Sequence, residues 1–252
     1  MQVTITGLPE LRAKLAQFSD RRFAAAVATA LTRTARDIEQ EWRAQMGAEL
    51  DRPSARTVRG TVVQMAKADK LEARVAMRGD AGQVGTPAGW LRPVEFGGSR
   101  LAKRFEQVLQ ARGAMPRGTF AVPGDGAKLD RYGNVSRGQI IEALNQLGVD
   151  FSAGYSNVIA RAAAKRAASA ARSGRAYFVV RDQGKGLPPG IYYRDARRNL
   201  KAVFFFARGV GYRRTTTLIQ RGARVGSQKL NEQVVRAVNE HIARLAARRG
   251  AS

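Results

Sequence analysis

The one histidine, His241, is the first side chain to weigh for chemistry. A zinc site needs several His, Cys or carboxylate ligands brought together. This chain has no cysteine and no second histidine. Ser-His-Asp chemistry would need His241 as its base, and no Gly-x-Ser-x-Gly elbow presents a nucleophile. The nearest approach to a phosphate-cradling loop is Gly184-Lys185-Gly186, which runs into Leu187-Pro188-Pro189 and not into a helix. Asp125, Asp130, Asp150, Asp182 and Asp195 are scattered among arginines. They are more simply salt-bridge partners, since a metal-dependent nuclease wants its carboxylates clustered. The expectation is therefore no catalytic residue, no metal, no cofactor and no enzyme.

What the side chains do supply is positive charge. Lys and Arg number 44 against 20 Asp and Glu, a formal net charge of +24. Such a chain repels itself and attracts polyanions, either nucleic-acid phosphates or acidic protein neighbours. Arginine forks suit bidentate pairing with carboxylate or phosphate. The basic residues fall in clusters: Arg161, Lys165, Arg166, Arg172 and Arg175; Arg194, Arg197, Arg198 and Lys201; and Arg208, Arg213, Arg214, Arg221 and Arg224, with Tyr212 inside. No helix-turn-helix, aromatic RNP pattern or zinc module points to base reading. No apolar run approaches the roughly 20 residues of a membrane span, and no membrane partner is expected.

The elements that must position these residues follow from periodicity. Val3 and Ile5 alternate as a short strand, and Leu8, Leu11, Leu15 and Phe18 have helical spacing. Ser19-Asp20 offers a cap for the clearest helix, about 21–48, with Phe23, Val27, Leu31, Ala35, Ile38, Trp42 and Met46 as its stripe. Thr57–Lys67 and Leu71–Arg78 predict a hairpin. The Gly/Pro-rich stretch 79–98 predicts loop, with a short strand at Trp90–Phe96. Helices are expected over Arg100–Arg112, from a Ser136 cap to about Leu147 (Ile140, Ile141, Leu144 and Leu147 inward), over Tyr155–Ser173, and over about 228–248, the last with Leu230, Val234, Val238, Ile242 and Leu245 as its stripe. Strands are expected at Ala176–Arg181, at Ile191–Tyr193 and at Ala202–Ala207, where Phe204-Phe205-Phe206 suits either a core or an interface strand. The fold class is α+β: a long N-terminal helix packed on a mostly antiparallel sheet, a helical middle insertion and a C-terminal helix. The chain reads as one domain over 1–252, with about 80–175 as the place for an inserted lobe.

Several segments resemble a known family. They are Trp90-Leu91-Arg92-Pro93-Val94-Glu95-Phe96-Gly97-Gly98; Leu129 through Ile140 (Leu-Asp-Arg-Tyr-Gly-Asn-Val-Ser-Arg-Gly-Gln-Ile); Leu187-Pro188-Pro189-Gly190-Ile191-Tyr192; and Val203-Phe204-Phe205-Phe206. The opening Gly-Leu-x-x-Leu and the Thr32-Arg33-Thr34-Ala35 of the long helix fit as well. Together they are similar to the minor tail protein Z, or tail completion, family of tailed bacteriophages. The resemblance implies a virion structural protein, made in the host cytoplasm, that completes the tail and joins it to the head. It implies other tail and neck proteins as partners and a homo-oligomeric ring, a hexamer favoured, around the DNA channel. Six copies would carry six times the charge of one, and that charge needs DNA or acidic neighbours to balance it. Arg194, Arg197, Arg198, Arg213 and Arg214 are the expected contacts to polyanion or acidic partner. Trp90, Phe96, Tyr192 and Tyr193 are the expected packing or subunit-interface residues. The alternative is a basic nucleic-acid-binding protein acting off the virion.

Overall fold

A computed structural model of the chain describes residues 1–6, 21–79, 81–148, 168, 170–181 and 186–249. The expected helix of Leu8 to Phe18, its Ser19-Asp20 neighbour, most of Tyr155–Ser173, Gly184-Lys185, Asp150, Asp182 and the Leu245 side chain lie outside the described residues. The protein is α+β. It divides into two compact units, Met1–Gly97 with Arg213–Ser252, and Gly98–Tyr212.

In the first unit, α1 (Arg21–Glu49) and the C-terminal helix α6 (Leu218–Arg249) pack together beside an antiparallel sheet of order β1-β3-β2 (Gln2–Thr6, Glu72–Met77, Thr61–Gln64). The periodic stripe of α1 is the core: Val27, Leu31, Ala35, Ile38, Trp42 and Met46 are each at most 1% exposed. It meets Ala73, Val75 and Met77, the inward half of the alternating strand β3. Val75 pairs with Val3 on one side and Val63 on the other.

Three expectations for this unit are corrected. The first two residues of the expected strand Thr57–Lys67 belong to a helical turn, α2 (Ala55–Val58), because Ser54 caps it by accepting from the Thr57 amide at 3.2 Å; the strand itself is Thr61–Gln64. Trp90–Phe96 is not a strand but the body of a helix, α3 (Pro87–Phe96), despite Pro93. Thr86 caps α3 by accepting from Gly89 N at 3.1 Å, proline sits at its first turn, and burial of Ala88 and Leu91 holds its face. Helix α6 begins ten residues before the expected start, and its buried face only partly follows the expected stripe: Leu230 packs against the core and Val234 and Val238 are half-buried, flanking the buried positions. Leu218, Gly222, Gly226, Gln233 and Ala237 point inward while Ile242 is 56% exposed. Gly222 lies so close to α1 that an added Cβ would stand 2.6 Å from Trp42 Nε1. A glycine that looks like a helix breaker in sequence is here the contact point of two helices.

The second unit is a four-stranded antiparallel sheet of order β5-β8-β7-β6 (Phe120–Pro123, Leu200–Ala207, Gly190–Arg194, Ala176–Val180). Helices α4 (Arg104–Ala111) and α5 (Arg137–Gln146) supply Phe105, Leu109, Ala143 and Leu144 to a core shared with Tyr177, Ile191, Tyr193 and Val203. A two-residue ribbon, β4 (Gly98–Ser99) with β9 (Gly211–Tyr212), closes the unit. Ser136 caps α5 as expected, but Ile141 is 38% exposed and does not face the core. In the Phe204–Phe206 run, Phe204 is buried and the next two are half-buried.

Candidate polyanion-binding surface

The basic residues singled out from sequence fall in both units. Arg194 ends β7, and Arg197 and Arg198 stand on the turn between β7 and β8. Arg213 and Arg214 lie before α6 in the other unit and are exposed. Arg194 places its guanidinium 5.9 Å from the Phe178 ring centre. The turn itself is built on Asp195, whose Oδ1 accepts from Arg197 N (2.9 Å) and Asn199 N (2.8 Å). These bonds hold the Asp195 carboxyl below its ordinary range, the Asn199 side-chain amide contributing most.

The same turn occurs a second time. Asp130-Arg131-Tyr132-Gly133-Asn134 repeats the pattern of Asp195-Ala196-Arg197-Arg198-Asn199, with Asp130 Oδ1 accepting from Tyr132 N (2.9 Å) and Asn134 N (3.0 Å). In both, the fourth residue is left-handed: Gly133 at φ 77° and Arg198 at φ 63°. Glycine takes this conformation freely, whereas a side chain costs about 1–2 kcal/mol. Arg198 therefore sits where the fold would accept glycine, and its exposed guanidinium is held out by a strained backbone. Replacing Arg198 by Gly is expected to leave thermal stability unchanged or higher, relief of strain offsetting the freer unfolded chain. Arg197→Gly in the same turn is expected to lose about 1 kcal/mol. Equal losses in the two melting curves would contradict the strain.

Of the four expected packing or interface residues, Tyr192 and Tyr193 are 3% and 7% exposed. Tyr193 packs against Tyr177 with ring centres 5.4 Å apart. The Tyr192 hydroxyl donates to Pro188 O at 2.7 Å, and burial pushes its pKa up. Trp90 is half-buried against the first unit's core. Phe96 is 60% exposed and presents its ring to solvent.

His241 borders a cavity of about 90 Å³ between α1 and α6, beside Glu240. Glu240 is a charge hub: it accepts both Arg33 NH groups at 2.9–3.0 Å, together with Arg236 and Arg244. The Arg33 hydrogen bond leads in holding its carboxyl below the usual range. Among the described residues, no group of three His, Cys, Asp or Glu side chains gathers to hold a metal ion. No helix there is long and apolar enough to cross a membrane.

Sequence reasoning missed one cluster. Arg56, Arg59 and Arg78 line a cavity of about 340 Å³ in the first unit, with Gly60, Thr86 and Pro87 among its walls. They come from α2, the residue after it and the residue after β3, with Arg78 far enough from the other two in sequence that no charge run marks the three. The signal present was the Ser54 cap, which starts α2.

No protein-family model, no curated protein and no solved structure matches the chain.

Proposed function

We propose that the protein is a structural component of a tailed-phage virion that completes the tail and helps join it to the head, as a subunit of a homo-oligomeric ring around the DNA channel. The observation that carries this reading is where the family-like segments lie. Glu95, in the first of them, caps α6. Asp130 and Ser136, in the second, build a turn and start α5. The third and fourth form the β7–β8 centre of the second sheet. The likeness thus falls on the residues that organise the two units, which suits an architectural role. The carboxylates in these segments are engaged by backbone amides. Exposed arginines without a side-chain partner among the described residues, such as Arg92, Arg117, Arg208, Arg213 and Arg224, supply the charge that DNA or acidic neighbours would meet.

Electron microscopy of particles from a phage lacking the gene tests the reading. Filled heads separated from tails, or tails unable to attach, are expected. Normal joined, infectious particles would overturn it. The arginine excess also favours a second reading, a nucleic-acid-binding protein acting off the virion. Mass spectrometry separates the two, since only the first puts the chain in purified particles.

A further inference from the structure

We infer that the Arg56–Arg59–Arg78 cavity is a phosphate-binding site that grips the backbone of nucleic acid without reading its sequence. Three arginines border one cavity of about 340 Å³, and none of its described lining residues is a carboxylate. Arg59 and Arg78 are exposed and have neither an ion pair nor a side-chain hydrogen bond among the described residues. Three like charges brought together, with no counter-charge among the described lining residues, raise the energy of the empty site, and a bound anion lowers it.

The cavity is built rather than accidental. Arg78 is tied on both sides through its backbone: its amide donates to Gly60 O at 2.6 Å, and its carbonyl accepts from Ala88 N at 3.2 Å. Arg59 N donates to Ala55 O at 2.9 Å. At Gly60 an added Cβ would stand 2.6 Å from Pro87 Cβ, so the wall there is already closed. Arg56 is oriented by the Gly85 carbonyl at 3.3 Å and by the Trp90 ring at 5.4 Å. Little ordering therefore remains to be done when a ligand arrives.

Arginine forks accept either carboxylate or phosphate. Phosphate is favoured by charge count. A carboxylate side chain brings one charge, whereas a nucleic-acid strand brings one about every 3.4 Å of axis, enough to engage three arginines at once. The walls offer no groove-reading helix or stacking platform, so the contact is to backbone and not to bases. The inference rests on the virion reading only in naming double-stranded DNA as the nucleic acid met.

The test uses the full chain and a labelled 20-base-pair DNA of arbitrary sequence, with fluorescence anisotropy across a KCl series. The Arg56→Ala/Arg59→Ala/Arg78→Ala variant is expected to lower the slope of log K against log salt by about 2.7, at about 0.9 per phosphate contact, and to weaken binding about 100-fold at low salt. The corresponding triple Lys variant keeps the charge and is expected to keep most of the slope, which separates charge from misfolding. A triple Ala variant with unchanged slope and affinity within twofold overturns the inference. So does a variant that binds DNA as the parent does but loses binding to poly-glutamate, since the cavity would then serve an acidic protein. Impaired DNA binding by the triple Ala variant, alongside normal particles from a phage lacking the gene, would leave the site standing and remove only the virion reading.

Discussion

Glu106→Ala is expected to destabilise the second unit by about 4 kcal/mol, and Arg100→Ala by a similar amount. Glu106 is fully buried and the Arg100 side chain is 11% exposed. The pair is bidentate, at 2.6 and 2.7 Å. Each carboxylate oxygen also accepts a backbone amide, Ala121 N at 2.8 Å and Lys103 N at 2.5 Å. The carboxylate therefore ties the start of α4 to strand β5 and to the segment before it. Burial works against the Arg100 charge, but the Glu106 hydrogen bond and charge outweigh it and raise the Arg100 pKa. Removing either partner leaves a charge stranded in a site that excludes water, and the penalty exceeds the worth of the lost bonds. The double variant is expected to cost little more than one single variant, a coupling of 2 kcal/mol or more. Denaturant unfolding of the four proteins measures this. Single losses below about 1 kcal/mol, or simple additivity, would show that the pair is not the tie described.

The parts of the fold legible in the sequence are those held by local rules. The stripe of α1 from Val27 to Met46 is periodic, and every member is buried. Strand β3 alternates in sequence and in burial. Ser136 marks the start of α5 because a hydroxyl three residues ahead of an amide is a local cap. What was not legible depends on distant partners. Helix α3 is an exception: its Thr86 cap and Pro87 at the first turn are local signals, but the interior Pro93 and the surrounding glycines mask them, and burial of Ala88 and Leu91 settles the helix. The first ten residues of α6 include Gly222 and Gly226, which read as breakers because Trp42 and Ile38, against which they pack, lie some 180 residues away. The basic turn at Arg197 and Arg198 was visible as a charge cluster, but its strain was not, since φ at Arg198 emerges only beside the glycine of the twin turn. Arg56, Arg59 and Arg78 are brought together by the Gly60–Arg78 pairing, a tertiary fact.

The start of α6 is where the second large effect is expected. Glu95→Ala should cost the first unit about 3 kcal/mol, a fall in Tm of about 6–12 °C for a protein of this size. Glu95 is 1% exposed, and its two oxygens accept from Leu218 N at 2.8 Å and Ile219 N at 3.1 Å. Among the described residues no lysine or arginine pairs with it. Its charge is met instead by the unpaired amides and the positive end of a 32-residue helix. The preceding Val94 carbonyl accepts from Thr215 N and Thr216 N at 2.9 and 3.2 Å, and Trp42 Nε1 donates to Leu218 O at 2.6 Å. Three separate stretches of chain thus meet at Leu218, and Glu95 satisfies donors that nothing local in the sequence supplies. Glu95→Gln keeps one acceptor oxygen but turns its amide NH2 toward a second donor, so it should lose roughly half as much. Hydrogen exchange at Leu218 and Ile219 reads the cap directly. Faster exchange at these two amides, with the middle of α6 still protected, is expected for both variants. Unchanged exchange there would mean that α6 starts without Glu95 and that packing against Trp42 alone fixes where the helix begins.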